Sequence, residues 1–190
     1  MSWTTDTQHT SFEFAVRHMV ISTVKGRFGE FTIEADIDES DLTRTTGKAV
    51  VKTGSVDTRE PQRDTHLKSA DFFDAEKYPE MSYAITRVEG ADGEYALTGD
   101  LTIKDVTRPV TLKGEITGPV ADPWGNTRLG LSVTGKLNRK DFGLTWNVVT
   151  EAGGLLVGDE VKLSIDAEFV KAQVAEATDE AEAVMAGATA

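Results

Sequence analysis

Residues 55–83 read SVDTREPQRDTHLKSADFFDAEKYPEMSY, the one part of the chain that reads as helical turns among segments of alternating apolar and polar residues. Pro61 suits the first turn of a helix, where its missing N–H would have had no partner. Arg63, His66 and Leu67 follow at i, i+3 and i+4 and share one helical face. Asp64 and Lys68 stand four apart beside that face, in the order that favours an ion pair. Ser69 or Asp71 can cap a second short turn that brings Phe72 and Phe73 together before Pro79 ends any helical run. The expectation is a short helical insertion over residues 59–77, acting as a lid.

On either side the period is two. Upstream, Phe12, Phe14 and Val16 alternate with Ser11, Glu13, Ala15 and Arg17, as a strand with one buried and one wet face requires. His18 falls on the apolar side. Residues 21–38 alternate in two registers, even for Val24 and Phe28 and odd for Phe31, Ile33, Ala35 and Ile37. A switch near Gly26 and Gly29 marks a bulge and strong curvature. Residues 48–56 form a weaker strand. Downstream come Met81, Tyr83 and Ile85, then Tyr95, Leu97, Leu101 and Ile103 with Gly99 among them, where glycine marks a bend or a close approach. Val110, Leu112 and Ile116 follow, then Leu129, Leu131, Val133 and Leu137, and last Val161, Leu163, Ile165, Ala167 and Phe169. About eight one-sided antiparallel segments with one helical insertion define an all-β chain, a barrel or a sandwich. A barrel removes the sheet edges, and about eight strands enclose an interior that side chains fill or that holds one small ligand. Small inward residues such as Ala35, Ala49, Gly99, Gly114, Gly135 and Ala167 leave both a filled and a hollow interior open.

The connection NRKDFGLTWNVVTEAGGLLVG, residues 138–158, is long for a hairpin and carries Phe142, Trp146, Leu155 and Leu156; loops of this length serve a site or a mouth. NRKDFG reads as a loop-fixing motif. Residues 1–170 are read as one barrel domain, and 171–190, rich in Ala and Glu, as a solvated tail.

Composition excludes several roles. A formal net charge of -12 opposes binding to nucleic-acid phosphates or lying flat on an anionic membrane. With no cysteine there is no disulfide framework, thiol nucleophile or cysteine metal site. The N-terminal residues lack a basic segment followed by an apolar one, and no run of ~18 apolar residues could span a bilayer, so the expected location is cytoplasmic, without stable membrane insertion. Asp64 and His66 sit two apart on a helix and point away from each other, and no serine elbow accompanies them. His9, His18 and His66 lack metal-ligand spacing, and GGLLVG lacks the end of a phosphate-cradling loop. No catalytic residue, metal or cofactor is therefore expected. A haem-type binder with one axial His, a small barrel enzyme, and a filled barrel acting through its surface as a stress-related interaction protein are the alternatives.

Four segments taken together resemble the successive motifs of the YceI-like family: WTTDTQHTSFEFAVRHMVISTVKGRFGEF at 3–31, DTREPQRDTHLKSADFFDAEKYPEMSY at 57–83, LTGDLTIKDVTRPVTL at 97–112 and LNRKDFGL at 137–144. They occur in the family's order and span about residues 3 to 170. The resemblance implies a lipocalin-like antiparallel barrel holding a long polyisoprenoid, a polyprenyl pyrophosphate or an isoprenoid quinone, in its pore. It implies storage or transport without catalysis, often linked to stress and commonly periplasmic, and it allows a homodimer. Burying hydrocarbon is worth ~0.8 kcal/mol per CH₂, so a dozen carbons offer roughly 10 kcal/mol against the ~8 kcal/mol of micromolar affinity. The lining expected for the tail is Phe12, Phe14, Val16, Val24, Phe28, Phe31, Ile33, Met81, Tyr83, Ile85, Leu97 and Leu101, with Phe72, Phe73 and Trp146 near the mouth. His18, Arg63, His66 and Arg139 are the expected headgroup contacts. Arg63 and Arg139 also stand close in sequence to Asp64 and Asp141, where each could instead pin its loop through an ion pair.

Overall fold

The computed structural model of the chain describes residues 3–149 and 154–171. Its strands are β1 (Thr4–His18), β2 (Ser22–Phe28), β3 (Phe31–Asp36), β4 (Thr46–Lys52), β5 (Val56–Asp57), β6 (Glu80–Ala91), β7 (Glu94–Ile103), β8 (Val106–Ala121), β9 (Thr127–Asn138) and β10 (Val157–Lys171), with helix α1 at Pro61–Lys68. They form one antiparallel sheet in the order β3-β4-β6-β7-β8-β9-β10-β1-β2-β5.

The chain itself joins the two ends of that order. β2 runs directly into β3, and a 3₁₀ turn at Thr53–Ser55 connects β4 to β5. Gly29 N donates to Ser55 O (3.2 Å) and Lys52 N to Glu30 O (2.9 Å), so the two broken strands remain paired across both breaks. The sheet therefore curls into a barrel. Ten strands replace the expected eight or so, because each of the two segments at 21–38 and 48–56 is split by its bend. The register switch falls where the sequence placed it: Val24 and Phe28 face inward before Gly29, and Phe31, Ile33 and Ala35 after it. Among the described residues β1 and β3 share no ladder, and Thr5 Oγ1 donating to Ile33 O (3.3 Å) spans that seam.

The helical insertion is shorter than residues 59–77. Only Pro61–Lys68 is α-helix, with Pro61 opening the first turn and the Glu60 carboxylate capping Gln62 N (3.2 Å) and Arg63 N (2.5 Å). Residues 69–78 are turns, held by Asp74 N to Ser69 O (2.8 Å) and Tyr78 N to Asp74 O (2.8 Å). Ser69 ends α1, and its carbonyl opens the short turn that follows by accepting from Phe72 N (3.1 Å). Asp64 turns away from Lys68 and accepts from Thr58 N (2.9 Å) and Thr58 Oγ1 (2.5 Å), tying the helix to the end of β5. Lys171, expected in the tail, is the last residue of β10 and pairs with Thr127. The rest of that tail, 172–190, lies outside the described residues.

Candidate ligand cavity

Alternation sends every second side chain of the strands inward, and the inward set does not meet across the barrel. A cavity of about 620 Å³ runs through the interior. That volume falls within the range of small-molecule sites. Its wall is almost wholly apolar. At the far end Ile37, Leu129 and Phe169 pack with Trp3 into a floor. At the other end, beneath α1, stand the polar groups His18, Glu60, Arg63 and His66, together with Phe72, Phe73 and Trp146.

Of the residues expected to line the tail site, Phe12, Phe14, Val16, Val24, Phe28, Ile33, Phe72, Phe73, Met81, Tyr83, Ile85, Leu97, Leu101 and Trp146 do border the cavity. Phe31 does not. It lies just after the β2–β3 bend, where its ring tilts onto Phe12 (centroids 4.9 Å apart) and packs into the wall. Sequence reasoning left out the β8–β10 side of the lining, including Val110, Leu112, Val133, Leu163 and Ile165, although these carry the same alternation. It also left out Val88, which turns inward because of a register shift between Ile85 and Arg87.

Tyr83 sets a polar group into the wall. Its ring lies over Gly99, where an added Cβ would fall 2.6 Å from the ring. Its hydroxyl is 2.7 Å from Leu97 O and 3.1 Å from Val110 O. The two carbonyls share its one proton. Burial, with Asp100 adding, pushes the phenol well above its usual range, so it stays neutral.

The four expected headgroup contacts differ in what they have free. Arg139 is 4% exposed. Nε donates to Gly158 O (2.9 Å), Nη1 to Leu144 O and Trp146 O (2.9 Å), and Nη2 to Val157 O (3.3 Å) and Asp159 Oδ1 (3.3 Å). A guanidinium has five N–H donors, so every one it has is used. It therefore pins the β9–β10 loop, and its acidic partner is Asp159 rather than Asp141. Asn138 capping Lys140 N (3.0 Å) and Gly143 at φ 74° complete the loop-fixing turn that NRKDFG encodes. Arg63 donates through Nε to Thr58 Oγ1 (2.7 Å) and through Nη2 to Thr58 O (2.9 Å), sharing Thr58 with Asp64. Its remaining N–H groups carry no bond among the described residues. His66 Nε2 lies 2.9 Å from Asp71 Oδ2, and its ring stands edge-on to Trp146 (4.6 Å) and Phe72 (5.1 Å). His18 is half-buried at the cavity rim.

Away from the cavity, Asp6, His9 and Glu168 gather as a metal site would, although the histidine spacing gave no hint of it. Arg128 fills that role with its own charge. Its guanidinium bonds Asp6 (3.1 Å), Glu168 and Asp122 (2.8 Å), joining β1, β10 and the β8–β9 turn.

A curled antiparallel barrel around a hollow apolar interior, with a short helix beside its polar end, is a lipocalin-like binding barrel. The YceI-like domain model matches residues 3–169, and the chain belongs to that family. A UPF0312 protein of Staphylococcus aureus (strain MSSA476) is 34% identical over 169 residues, covering 88% of this chain and 96% of that one. The Campylobacter jejuni YCEI protein superposes with a TM-score of 0.71 at 31% identity, covering 83% of this chain and 90% of its own. Two more distant structures share the fold. Burkholderia cenocepacia BcnA has a TM-score of 0.72 at 19% identity (86% and 98% covered). A polyisoprenoid binding domain from Saccharophagus degradans has 0.62 at 13% identity (89% and 98% covered).

Proposed function

We propose that this protein binds the hydrocarbon chain of a long polyisoprenoid lipid inside the barrel, for storage or transport and without catalysis. The observation that carries this reading is the apolar cavity of about 620 Å³, which runs from the floor at Phe169 to the polar end under α1. Each methylene moved from water into such a lining contributes about 0.8 kcal/mol, so the tail supplies affinity with few polar contacts. The structural neighbour whose name describes polyisoprenoid binding has the same fold, which supports the choice of ligand class.

The polar end favours a neutral head, such as a quinone ring, over a diphosphate. Arg139 has no N–H left to give, His66 faces the Asp71 carboxylate, and the Glu60 carboxylate borders the same space. At that end a diphosphate would find the remaining donors of Arg63, with Arg17 and His18 at the border, against the Glu60 carboxylate and the Asp71 carboxylate behind His66. A planar ring could stack in the corner formed by His66, Phe72 and Trp146. The test is organic extraction and native mass spectrometry of protein purified from its own cells. Co-purified prenyl quinone is the expected result; an empty barrel that also fails to take up added prenyl quinone overturns the reading.

A further inference from the structure

Among the described residues eight large apolar side chains are exposed, and six of them stand on two adjoining segments at the α1 end of the barrel. Met19, Val20 and Ile21 form the β1–β2 turn; Val148, Val149 and Leu155 belong to the β9–β10 loop. The backbone joins them into one collar. Met19 N donates to Leu156 O (2.9 Å), Leu156 N donates to Val148 O (2.9 Å), and Val149 bridges to Leu155. Val20 is 70% and Ile21 80% exposed. Met19 and Val20 hold φ of 51° and 64°. Asn or Gly adopts this left-handed conformation readily in hairpin turns, and a β-branched residue rarely does. Turn chemistry at this tip therefore favours polar or glycine residues, and the chain carries bare hydrocarbon there. The collar is continuous with the cavity, because His18, Trp146, Leu156 and Val157 beside it line the interior.

Charge supplies a second, independent observation. Lys25, Ala15, Lys162 and Lys136 stand in one cross-strand row over β2, β1, β10 and β9. All three lysines are exposed, and Lys162 lies directly opposite Lys136, a like-charge pairing that costs stability. Glu160 offsets Lys136 at 3.3 Å, while Lys25 and Lys162 enter no ion pair among the described residues. A row of three cations is unexpected on a chain of net charge -12. It stands three residues before the end of β1, which at ~3.3 Å per residue is ~10 Å back from the turn. Apolar side chains of a peripheral protein enter a bilayer by ~5–10 Å, which brings this row to the level of the lipid phosphates.

We propose that this end of the barrel docks on a phospholipid bilayer containing anionic lipid. The apolar collar enters the acyl boundary, the lysine row meets the phosphates, and the cavity opens toward the membrane. Acidic groups on the far parts of the chain are repelled by the same surface and favour this orientation, against the opposing carboxylates of Glu60 and Asp71 beside α1. Docking gives the cavity proposed above a route to a lipid cargo that avoids water; the docking surface itself does not depend on what fills the cavity.

The test is co-sedimentation of the full chain with vesicles of phosphatidylcholine alone and of phosphatidylcholine mixed with phosphatidylglycerol. The expected result is partitioning onto the mixed vesicles that weakens as salt is raised. Val20→Asp with Ile21→Asp should lower the partition coefficient roughly tenfold or more. Lys25→Gln and Lys162→Gln should each lower it roughly fivefold on mixed vesicles only. Both kinds of variant should still take up prenyl quinone delivered from detergent, so loss of docking and loss of the cavity's ligand are read separately. The proposal is overturned if the unaltered protein ignores both vesicles, or if the Asp variant sediments as the unaltered protein does. It is equally overturned if light scattering shows a dimer that the Asp variant abolishes, without vesicle binding, which would assign the collar to a second copy of the chain.

Discussion

Replacing Ala49 by Phe places six ring carbons in the middle of the cavity and tests whether hydrocarbon occupies it. Ala49 lies on β4 between Ile33 and Tyr83, its cross-strand partners, and all three border the hollow. If each added carbon displaces one ligand carbon, the loss is about 5 kcal/mol at ~0.8 kcal/mol per carbon. If the chain shifts aside and only half are displaced, the loss is about 2.5 kcal/mol. At about 1.4 kcal/mol per tenfold, the dissociation constant should rise by roughly 60-fold to roughly 4,000-fold. In a filled core the same substitution would overpack and cost about 1–3 kcal/mol of stability. Here the ring enters empty space and buries its own surface, so the ligand-free protein should melt at the same temperature or higher. The assay pairs fluorescence titration with a prenyl quinone and thermal denaturation of the ligand-free protein. Unchanged affinity in a variant of unchanged stability would refute the placement of the ligand in this cavity. A sharp fall in melting temperature would refute the cavity itself.

Arg139→Ala should lower stability by about 3 kcal/mol, read in urea denaturation, because it takes this donor from the carbonyls of Gly158, Leu144 and Trp146, while Lys140 still pairs with Asp159 and Asn147 still bonds Val157 O. Arg63→Ala should cost less, since Thr58 keeps its bonds to Asp64. Acid should act through Arg128. The Arg128 guanidinium holds the Asp122 carboxyl down at about 2, and His9 together with Arg128 holds Asp6 at about 2, below the usual 3.8. Carboxyls depressed on folding contribute stability that is complete above their unfolded pKa and is lost as pH falls through the folded one. The melting temperature should therefore drop between about pH 4 and pH 2, and Asp122→Asn should flatten that drop while lowering stability at neutral pH.

The fold was legible because a strand's side chains alternate with a period of two whatever the strand pairs with. That local rule made Phe12, Phe14 and Val16 inward, and the change of parity between Phe28 and Phe31 announced the bend now seen at Gly29. Turn chemistry is equally local, so Pro61 opening α1 and Asn138 with Gly143 closing the NRKDFG turn could be read directly. The split of two segments into four strands was less legible, because a break in pairing depends on how sharply the barrel bends there. Val88 escaped notice because its inward position follows from an irregularity between Ile85 and Arg87.

Sequence alone thus determined which face of each regular strand turns inward, where the helix begins and which turn is rigid, since each rests on neighbours within a few residues. Tertiary structure decided the rest. Whether inward residues meet or leave a hollow depends on the radius at which the sheet closes, a property of all its strands together. Only the folded chain brings Gly158, Val157 and Asp159 to Arg139, which borders the cavity with its N–H groups already engaged, and leaves the carboxylates of Glu60 and Asp71 at the polar end. Partners far apart in sequence are chosen by where the strands run, so the chemistry of the mouth could be read only once the barrel had closed.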